Sequence, residues 1–304
     1  MTTFKLALDW TPNTNHIGFF IAKELGYYSA VDIDLQIINP QEDNYALTPG
    51  KKLELDLADA AIAPFETVIS LNNKPNKVEA IAIYAILQED LSSVVTLKNS
   101  NLDRPKLLDN KRYASYKARY EDHIVRAMMK NDGGEGNPEI VYPDKLGIWN
   151  TLLEGKAEAT WIFDNWEGVE AEGKHIQLNK FKMDAYGIPY CYSPVLVTKQ
   201  KLIRENKELC RNFISATRNG FLYVQANIEE ATRILTKYVT AYDSANINLT
   251  ASIQQTAPYF GDEKNCGSMK QEKVNAFLEW LISNGLETKQ IRNQALFTNE
   301  LFEQ

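Results

Sequence analysis

Short apolar runs and amphipathic stretches alternate along most of the chain. The runs Phe4–Leu8, Ile33–Ile38 and Ala58–Ile62 have the length and composition of strands. Between them, stretches such as Gly18–Leu25 have the 3.6-residue spacing of helices, and Gly26 is a typical helix-ending residue. This alternation predicts an α/β fold in which mostly parallel sheets are covered by helices.

The alternation occurs in two sets and is followed by helices alone. The second set runs from the predicted strand Arg112–Tyr116 to the predicted strand Ser193–Val197 and includes a predicted helix, Leu146–Leu153. After Lys199 the spacing is mostly that of amphipathic helices, among them Leu202–Asn219 and Phe221–Asn227. The pattern therefore predicts a two-lobed protein with a helical C-terminal tail.

The order of the two sets predicts which parts of the chain form each lobe. Residues 1–95 and 195–304 are expected to form a discontinuous first lobe, and residues 96–194 an inserted second lobe. The chain would cross between them at a hinge near residues 93–98 and 190–197. Hinged lobes of this kind can close on a ligand held in the cleft between them.

Composition and charge limit the classes of function. The 304 residues are 44% hydrophobic and 24% charged, as in ordinary soluble proteins. A net charge of -7 argues against a general nucleic-acid binder, which needs a basic face. No stretch approaches the roughly 18 apolar residues of a membrane span. The apolar run near the start is too short for a signal peptide, so we expect a cytoplasmic protein or one whose leader was removed.

Catalytic and metal-binding motifs are missing from the sequence. The three cysteines are scattered, and no two of the three histidines have the i, i+4 spacing of a helical metal site. There is no GxSxG motif, no P-loop and no GxGxxG after a predicted strand. By elimination, the residues favour a ligand-binding protein, and an enzyme is the second interpretation.

Candidate binding residues lie where predicted strands end. In α/β sheets, ligands bind at the carboxyl ends of strands, and here those positions carry aromatic, amide and carboxylate side chains. Aromatic faces can stack on a flat heterocycle, and the polar groups can recognise ring nitrogens and amines. We therefore expect a planar polar ligand, contacted by Trp10, Asn13, Asn15, His16, Pro64, Glu66, Tyr84, Ser115, Tyr116, Trp161, Asp164, Trp166, Glu167, Tyr186, Tyr190 and Tyr192.

Structural roles compete with binding at each of these positions. Trp10 could cap the core, and His16 could be a hydrogen-bonded structural residue. Glu66 could be a solvated carboxylate at a helix start, and Asp164 and Glu167 could cap the following helix. The tyrosines near the second crossing could serve as hinge packing. Only the coincidence of five such loops favours a site.

Three segments carry a resemblance to a known family. LDWTPNTNHIGFFIAKELGYY, DLADAAIAPFETVIS and LLEGKAEATWIFDNWEG resemble the thiamine-pyrimidine-precursor binding proteins. These are substrate-binding subunits of ABC importers, and they share the type II periplasmic-binding-protein fold with the pyrimidine synthase of thiamine biosynthesis. The resemblance covers about residues 4–240. The fold alone would also admit sulfonate, taurine and nitrate binders.

The resemblance implies a specific ligand and a partner. A formyl- or hydroxymethyl-aminopyrimidine would bind in the cleft between the lobes, with Trp10 stacking on the ring, Asn13 and Asn15 supplying amide contacts and His16 an orienting hydrogen bond. Asp9 is expected to fix the loop. An ABC permease would be the partner, and the protein would be periplasmic or extracellular if a leader was removed, or otherwise cytoplasmic.

Departures from the synthase argue against catalysis. The synthase holds pyridoxal phosphate on a lysine and consumes a histidine, whereas the segment Ala60–Thr67 has no lysine and carries Glu66 about where that histidine would stand. Its cysteine-rich motif corresponds here to Tyr186–Tyr192, with one cysteine, and its glycine-rich phosphate loop to Ser115–Tyr120, with no glycine. We therefore expect no cofactor and no enzymatic activity. A cytoplasmic enzyme or sensor of the same fold and a sulfonate- or taurine-type binder remain the alternatives.

Overall fold

The computed structural model describes residues 1–143 and 148–302. The predicted start of the helix at Leu146 lies outside these residues. The strands are β1 (Thr2–Ala7), β2 (Ile33–Ile38), β3 (Ala60–Ala63), β4 (Ala80–Ala85), β5 (Ser92–Leu97), β6 (Arg112–Ala114), β7 (Glu139–Val141), β8 (Ala159–Phe163), β9 (Leu178–Phe181) and β10 (Val195–Lys199).

The helices occupy the intervals between strands and most of the C-terminal third. They are α1 (Ile17–Glu24), α2 (Pro49–Glu54), α3 (Glu66–Asn72), α4 (Glu121–Asn131), α5 (Ile148–Leu153), α6 (Glu167–Gly173), α7 (Gln200–Glu205), α8 (Lys207–Ala226), α9 (Ile228–Leu235), α10 (Ala241–Asn246), α11 (Leu249–Thr256) and α12 (Gln271–Ser283). Within the described ranges, no helix is long and apolar enough to cross a membrane.

The chain divides into two compact units. Unit 1 contains residues 1–90, 191–274 and 293–304, and unit 2 contains residues 91–190 and 275–292. The division differs from the sequence-based boundaries in two places. β5 belongs to unit 2 because it pairs with β8 and β9. Residues 275–292 also belong to unit 2, where the ring of Phe277 packs against Tyr120 and Tyr190.

Each unit is built on a five-stranded sheet, and the two sheets have matching topology. The strand orders are β2-β1-β3-β10-β4 in unit 1 and β7-β6-β8-β5-β9 in unit 2. In each sheet four strands run in one direction and the fifth, β10 or β5, is antiparallel to both of its neighbours. The mostly parallel α/β architecture predicted from the sequence is therefore confirmed.

Unit 1 has a fully buried strand at one edge of its sheet and a close helix crossing. Every residue of β4 is buried, as expected for a strand covered on both faces. Helices α1 and α8 cross at Gly18 and Gly220, where a Cβ atom on Gly220 would lie 2.0 Å from the carbonyl oxygen of Gly18. Glycine at 220 therefore permits this contact between backbones. The sequence predicted a break in the helix here, but α8 continues through the glycine.

Unit 2 has its own smaller core. Val95, Trp149, Leu152, Ile162 and Ala171 form a buried cluster on one face of its sheet. The cluster joins β5, α5, β8 and α6, so each strand-to-helix connection on this face is fixed by apolar packing. The loop that leaves the carboxyl end of β8 therefore starts from a packed base.

Candidate functional site

One edge of the unit 1 sheet collects several of the predicted binding loops. β1 and β3 are parallel, with Ala7 opposite Ala61, so both strands end at the same edge. β10 is antiparallel to β3, with Val195 opposite Ala63, so it begins at that edge. The loop after β1, the loop after β3 and the segment before β10 therefore lie side by side. We call this edge the unit 1 site edge.

The loop after β1 is held rigid by its own side chains. The Asn13 side chain accepts a hydrogen bond from the Asn15 backbone N–H at 2.9 Å and donates to the Thr11 carbonyl at 3.0 Å. The Thr14 and Ser252 hydroxyl oxygens lie 2.7 Å apart, which ties the loop to α11. Asn13 and Asn15 are both buried, so this loop presents a fixed shape rather than a set of free amide groups.

His16 belongs to this internal network. Its Nδ1 atom accepts a hydrogen bond from the Asn13 backbone N–H at 3.3 Å, and its Nε2 atom lies 2.7 Å from Asp9 Oδ1. Because Nδ1 is an acceptor, the proton resides on Nε2 and is donated to Asp9. His16 is fully buried. Both ring nitrogens are thus engaged within the loop, which favours the structural role over the expected contact with a ligand; Asp9 fixes the loop as predicted.

Trp10 is the exposed aromatic group of this loop, and the structure adds a partner that the sequence did not single out. The Trp10 side chain is 38% exposed, and its ring centroid lies 5.5 Å from that of Tyr45, which is 46% exposed. Asn44 and Tyr45 have φ angles of 52° and 61°, a left-handed conformation that asparagine tolerates but that is rare for tyrosine. Backbone strain of this kind persists only where the surroundings enforce it.

A buried ion pair holds the segment that carries Tyr45. Lys52 Nζ, on the almost fully buried Lys52 side chain, lies 2.9 Å from Asp43 Oδ2. This ammonium group holds the pKa of Asp43 below its usual range. A buried lysine requires such a partner, so the pair fixes the turn between β2 and α2. Tyr45 follows β2, which is parallel to β1 and ends at the unit 1 site edge. That position is the signal in the sequence that could have identified it.

Glu66 and Pro64 follow β3 at the same edge. Glu66 is buried in the first turn of α3, where the helix dipole favours a carboxylate. The backbone N–H of Phe65 donates to the Tyr192 carbonyl at 3.2 Å, so this loop is joined to the start of β10. Burial, and secondarily the charge of Glu66, raises the pKa of the Cys191 thiol well above its usual range. Cys191 is therefore not poised as a nucleophile.

Tyr84 and Tyr192 have packing roles in unit 1. Tyr84 is fully buried; its hydroxyl lies 3.1 Å from Cys266 Sγ, and its ring stacks near Phe221. The structure thus places Tyr84 in the core instead of at a ligand. Tyr192 is also buried, and its hydroxyl accepts a hydrogen bond from the Lys270 backbone N–H at 2.8 Å. It fixes the start of β10.

Unit 2 has a corresponding edge at the carboxyl ends of β6 and β8. The buried Ser115 donates from Oγ to Asp122 Oδ1 at 2.7 Å, and Tyr116, the next residue, is 41% exposed. The Glu121 carboxylate, at the start of α4, accepts hydrogen bonds from the backbone N–H groups of Tyr116 and Ala118. Burial raises the pKa of Glu121, and these hydrogen bonds oppose the shift.

The acidic residues after β8 are engaged within unit 2. Asp164 is buried, accepts a hydrogen bond from Ser93 Oγ at 2.7 Å and lies 3.2 Å and 2.5 Å from the ammonium groups of Lys180 and Lys182. Glu167 Oε2 accepts the Phe163 backbone N–H at 2.9 Å. These contacts favour structural roles for both acids over direct recognition of a ligand amine.

Aromatic residues form a cluster beside these acids. The ring of Tyr190 lies 5.5 Å from that of Trp161 and packs edge-to-face against it. Trp166 is buried at the start of α6. The ring centroid of Tyr186 lies 6.3 Å from that of Phe181. The backbone carbonyl of Tyr186 accepts a hydrogen bond from the side-chain amide of Asn131. Trp161, Tyr116 and Tyr186 are the partly accessible rings of the predicted set in this unit.

The site residues do not form a metal or pyridoxal phosphate centre. Within residues 1–143 and 148–302, no group of three or more histidine, cysteine, aspartate or glutamate side chains could hold a metal ion. The loop after β3, where the resembled synthases carry the cofactor lysine, has none. In the loop before α4, the backbone N–H groups of Tyr116 and Ala118 already donate to Glu121. The residues present therefore do not fit that cofactor.

Two like α/β units, each with one antiparallel strand, define the fold of the periplasmic binding proteins. A ligand-binding component of an ABC-type import system from Staphylococcus aureus, solved with zinc bound, superposes with a TM-score of 0.70 at 14% identity, covering 100% of this chain and 99% of that one. Residues 13–231 match the family described as NMT1/THI5 like. This match spans more than half of the chain, so the chain belongs to that family.

Two curated relatives differ in what their names describe. The chain is 24% identical over 260 residues to the formylaminopyrimidine-binding protein of Halalkalibacterium halodurans, covering 84% of this chain and 75% of that protein. It is 22% identical over 233 residues to a 4-amino-5-hydroxymethyl-2-methylpyrimidine phosphate synthase of Legionella pneumophila, covering 76% and 72%. One name denotes a binding protein and the other an enzyme with a phosphorylated product. The resemblance predicted from the sequence is confirmed at the level of the family.

Proposed function

We propose that this protein binds a thiamine-related aminopyrimidine outside the cytoplasm without converting it. It would then deliver the ligand to an ABC permease for uptake into the cell. The observation that carries the proposal is the exposed Trp10–Tyr45 pair at the unit 1 site edge, next to the loop that carries Glu66. A planar ring can stack on the tryptophan face, and a carboxylate can accept hydrogen bonds from an exocyclic amine. The relative named as a formylaminopyrimidine-binding protein supports this choice of ligand.

The internal bonding of the site supports binding over catalysis. His16 is committed to Asp9, and the Cys191 thiol has a raised pKa. General base and nucleophile roles require groups within reach of a substrate and with suitable pKa values. A rigid, preformed loop with one exposed aromatic ring instead reduces the entropy lost when a ligand binds. We therefore propose capture and release as the complete activity.

A thermal-shift screen tests the proposed ligand class. The panel contains hydroxymethyl- and formyl-aminopyrimidines, thiamine, pyridoxal phosphate, riboflavin, taurine and alkanesulfonates. A ligand at about 100 times its dissociation constant stabilises the folded protein by about 2.7 kcal/mol, so a binder gives a clear shift. We expect a shift with aminopyrimidines only. A shift with sulfonates alone would contradict the proposal, and a shift with pyridoxal phosphate would revive an enzymatic role.

Loss of either ring of the aromatic pair is expected to weaken aminopyrimidine binding. Trp10→Ala removes the proposed stacking face, and Tyr45→Ala removes the ring that supports it. Aromatic stacking contributes about 0.5–1.5 kcal/mol beyond area burial, and 1.4 kcal/mol corresponds to a tenfold change in affinity. We expect Trp10→Ala to raise the Kd at least tenfold and Tyr45→Ala to raise it severalfold, as measured by isothermal titration calorimetry.

Tyr27→Ala is the matched control for these substitutions. Tyr27 is half-buried and follows the C-terminal end of α1, at the opposite end of the helix from the ligand loop. Its removal should leave the Kd within about twofold, because it lies far along the helix from the proposed contacts. Equal Kd values for Trp10→Ala and the unchanged protein would place the ligand elsewhere.

A further inference from the structure

A cavity of about 270 Å³ lies along one face of α8 within unit 1. Its polar lining is Arg211, Asn212, Ser215 and Arg218. Residues three or four positions apart share a face of a helix, so the two arginines flank the serine along the cavity. None of the residues predicted or proposed to contact the aminopyrimidine lines this cavity. We call it the α8 pocket.

The other wall of the α8 pocket is apolar and is fixed in place. It includes the buried Leu301 and the half-buried Phe302. The segment that carries them is anchored by Asn299, whose side chain accepts the Met269 backbone N–H at 3.0 Å and donates to the Met269 carbonyl at 2.8 Å. Pockets for small molecules are usually preformed in this way, with an apolar wall opposite a few polar groups.

The two arginines of the α8 pocket differ from most arginines of the chain. The sequence contains nine arginines. Six of them form ion pairs with carboxylates. Within residues 1–143 and 148–302, no carboxylate pairs with the other three, which are Arg126, Arg211 and Arg218. Two of the three therefore line one cavity, in a chain whose net charge is -7.

Both guanidinium groups retain hydrogen-bond donors. The Nε atom of Arg211 is buried and has no hydrogen-bond partner in the part of the chain that the structure describes. Arg218 donates from Nη2 to the Glu263 carbonyl, but a guanidinium carries five N–H groups. A buried donor without an acceptor is costly and requires an explanation. An anion beside Arg211 would supply the missing acceptor.

We propose that the α8 pocket is a second binding site, for a small organic anion. Its carboxylate or phosphate group would lie against Arg211 and Arg218, because the planar guanidinium fork matches both groups. Its apolar part would lie against Leu301 and Phe302. This site goes beyond the proposed function, because a pyrimidine without a phosphate group offers no anion to two arginines.

The first test compares charged and uncharged probes of similar shape on the unchanged protein. Benzoate, phenyl phosphate and the neutral benzamide are titrated at constant ionic strength by isothermal titration calorimetry. At least one of the two anions should bind saturably with a Kd below about 1 mM, and benzamide at least about tenfold more weakly. Saturable binding of neither anion, or equal binding of benzamide, would overturn the proposal.

The second test removes one positive charge. Arg211→Gln should raise the Kd of the bound anion at least about tenfold, because a hydrogen bond to a charged group is lost. Arg126→Gln is the matched control: Arg126 also has no ion pair among the described residues, but it lies in α4 of unit 2 and donates to the Gly136 carbonyl at 3.1 Å. This control should keep the Kd within about twofold. Equal Kd values for the two variants would contradict the proposal.

A third measurement locates the anion without relying on the fold of a variant. The Nε–H signals of the arginines are followed by nuclear magnetic resonance of the nitrogen-15-labelled protein during the titration. The signals of Arg211 and Arg218, assigned by substitution with lysine, should shift saturably, and that of Arg126 should not. Binding that moves neither pocket signal, as when benzoate stacks on Trp10, would overturn the proposal. So would binding that appears only after deletion of residues 303–304, since the chain's own end would then be the occupant.

None of these measurements needs an aminopyrimidine. The α8 pocket can therefore fail while the pyrimidine site stands, and the pyrimidine site can fail while the pocket stands.

Discussion

Replacement of Gly220 by alanine should strongly destabilise unit 1. In a helix interior this substitution normally stabilises by about 1 kcal/mol, because alanine is the better helix former. At Gly220 the added Cβ would lie 2.0 Å from the Gly18 carbonyl oxygen and 3.0 Å from the Ala22 Cβ, so α1 and α8 would have to separate. Overpacking of this kind costs about 1–3 kcal/mol and sometimes more. The midpoint of urea unfolding measures the effect.

Gly168→Ala is the control for the Gly220 experiment. Gly168 also lies in a helix, but its added Cβ would meet Lys180 Nζ at 3.4 Å, an ordinary contact. This variant should unfold at a urea concentration equal to or above that of the unchanged protein. Similar midpoints for the two variants would show that the crossing of α1 and α8 is not a tight backbone contact. Because α1 begins directly after His16, a displaced α1 should also weaken ligand binding.

Conversion of Glu66 to glutamine should cost the protein most of its affinity for aminopyrimidines. A hydrogen bond to a charged group contributes about 1.5–3 kcal/mol, which corresponds to roughly 10- to 100-fold in Kd. Glutamine keeps the size of the side chain but replaces one acceptor oxygen with a donor, which would face the donating amine of the ligand. Isothermal titration calorimetry with a formyl-aminopyrimidine measures the change.

The Glu66 experiment requires a stability control, because this side chain also has interactions within the chain. The melting temperature of Glu66→Gln without ligand separates a loss of fold from a loss of affinity. Glu170→Gln, a substitution of another buried helix glutamate, should retain the original Kd. Unchanged affinity in a folded Glu66→Gln variant would remove this carboxylate from the proposed site.

The periodicity of the sequence was sufficient to predict most of the architecture. The alternation of strands and helices is a local property, so both ends of β2 were predicted correctly. The direction of most strands followed from the α/β pattern. The antiparallel placement of β5 and β10 could not be predicted, because it depends on pairing between residues far apart in the chain. The continuous α8 was missed because a glycine at a helix crossing has the same sequence signal as a helix end.

The candidate site was harder to predict than the fold. Strand-end position selected loops that the structure brings to one edge of the unit 1 sheet, but it could not separate exposed side chains from buried ones. Trp10 is exposed, whereas His16 and Tyr84 are fully buried and bonded within unit 1. Tyr45 was missed although it follows the end of β2, because its segment has no periodicity; the Asp43–Lys52 pair and the left-handed turn help to bring it to Trp10. Such long-range and conformational contacts have no local sequence signature.

The position of β10 inside the unit 1 sheet affects how the protein folds during synthesis. β10 lies between β3 and β4, so β4 has no neighbouring strand in its sheet until residues 195–199 have been synthesised. Chains grow at about 5–20 residues per second, and N-terminal parts usually fold first. Here the N-terminal 90 residues remain an incomplete sheet while all of β5 to β9 is translated. Nascent chains that end before β10 should therefore expose the edges of β3 and β4 and depend on chaperones.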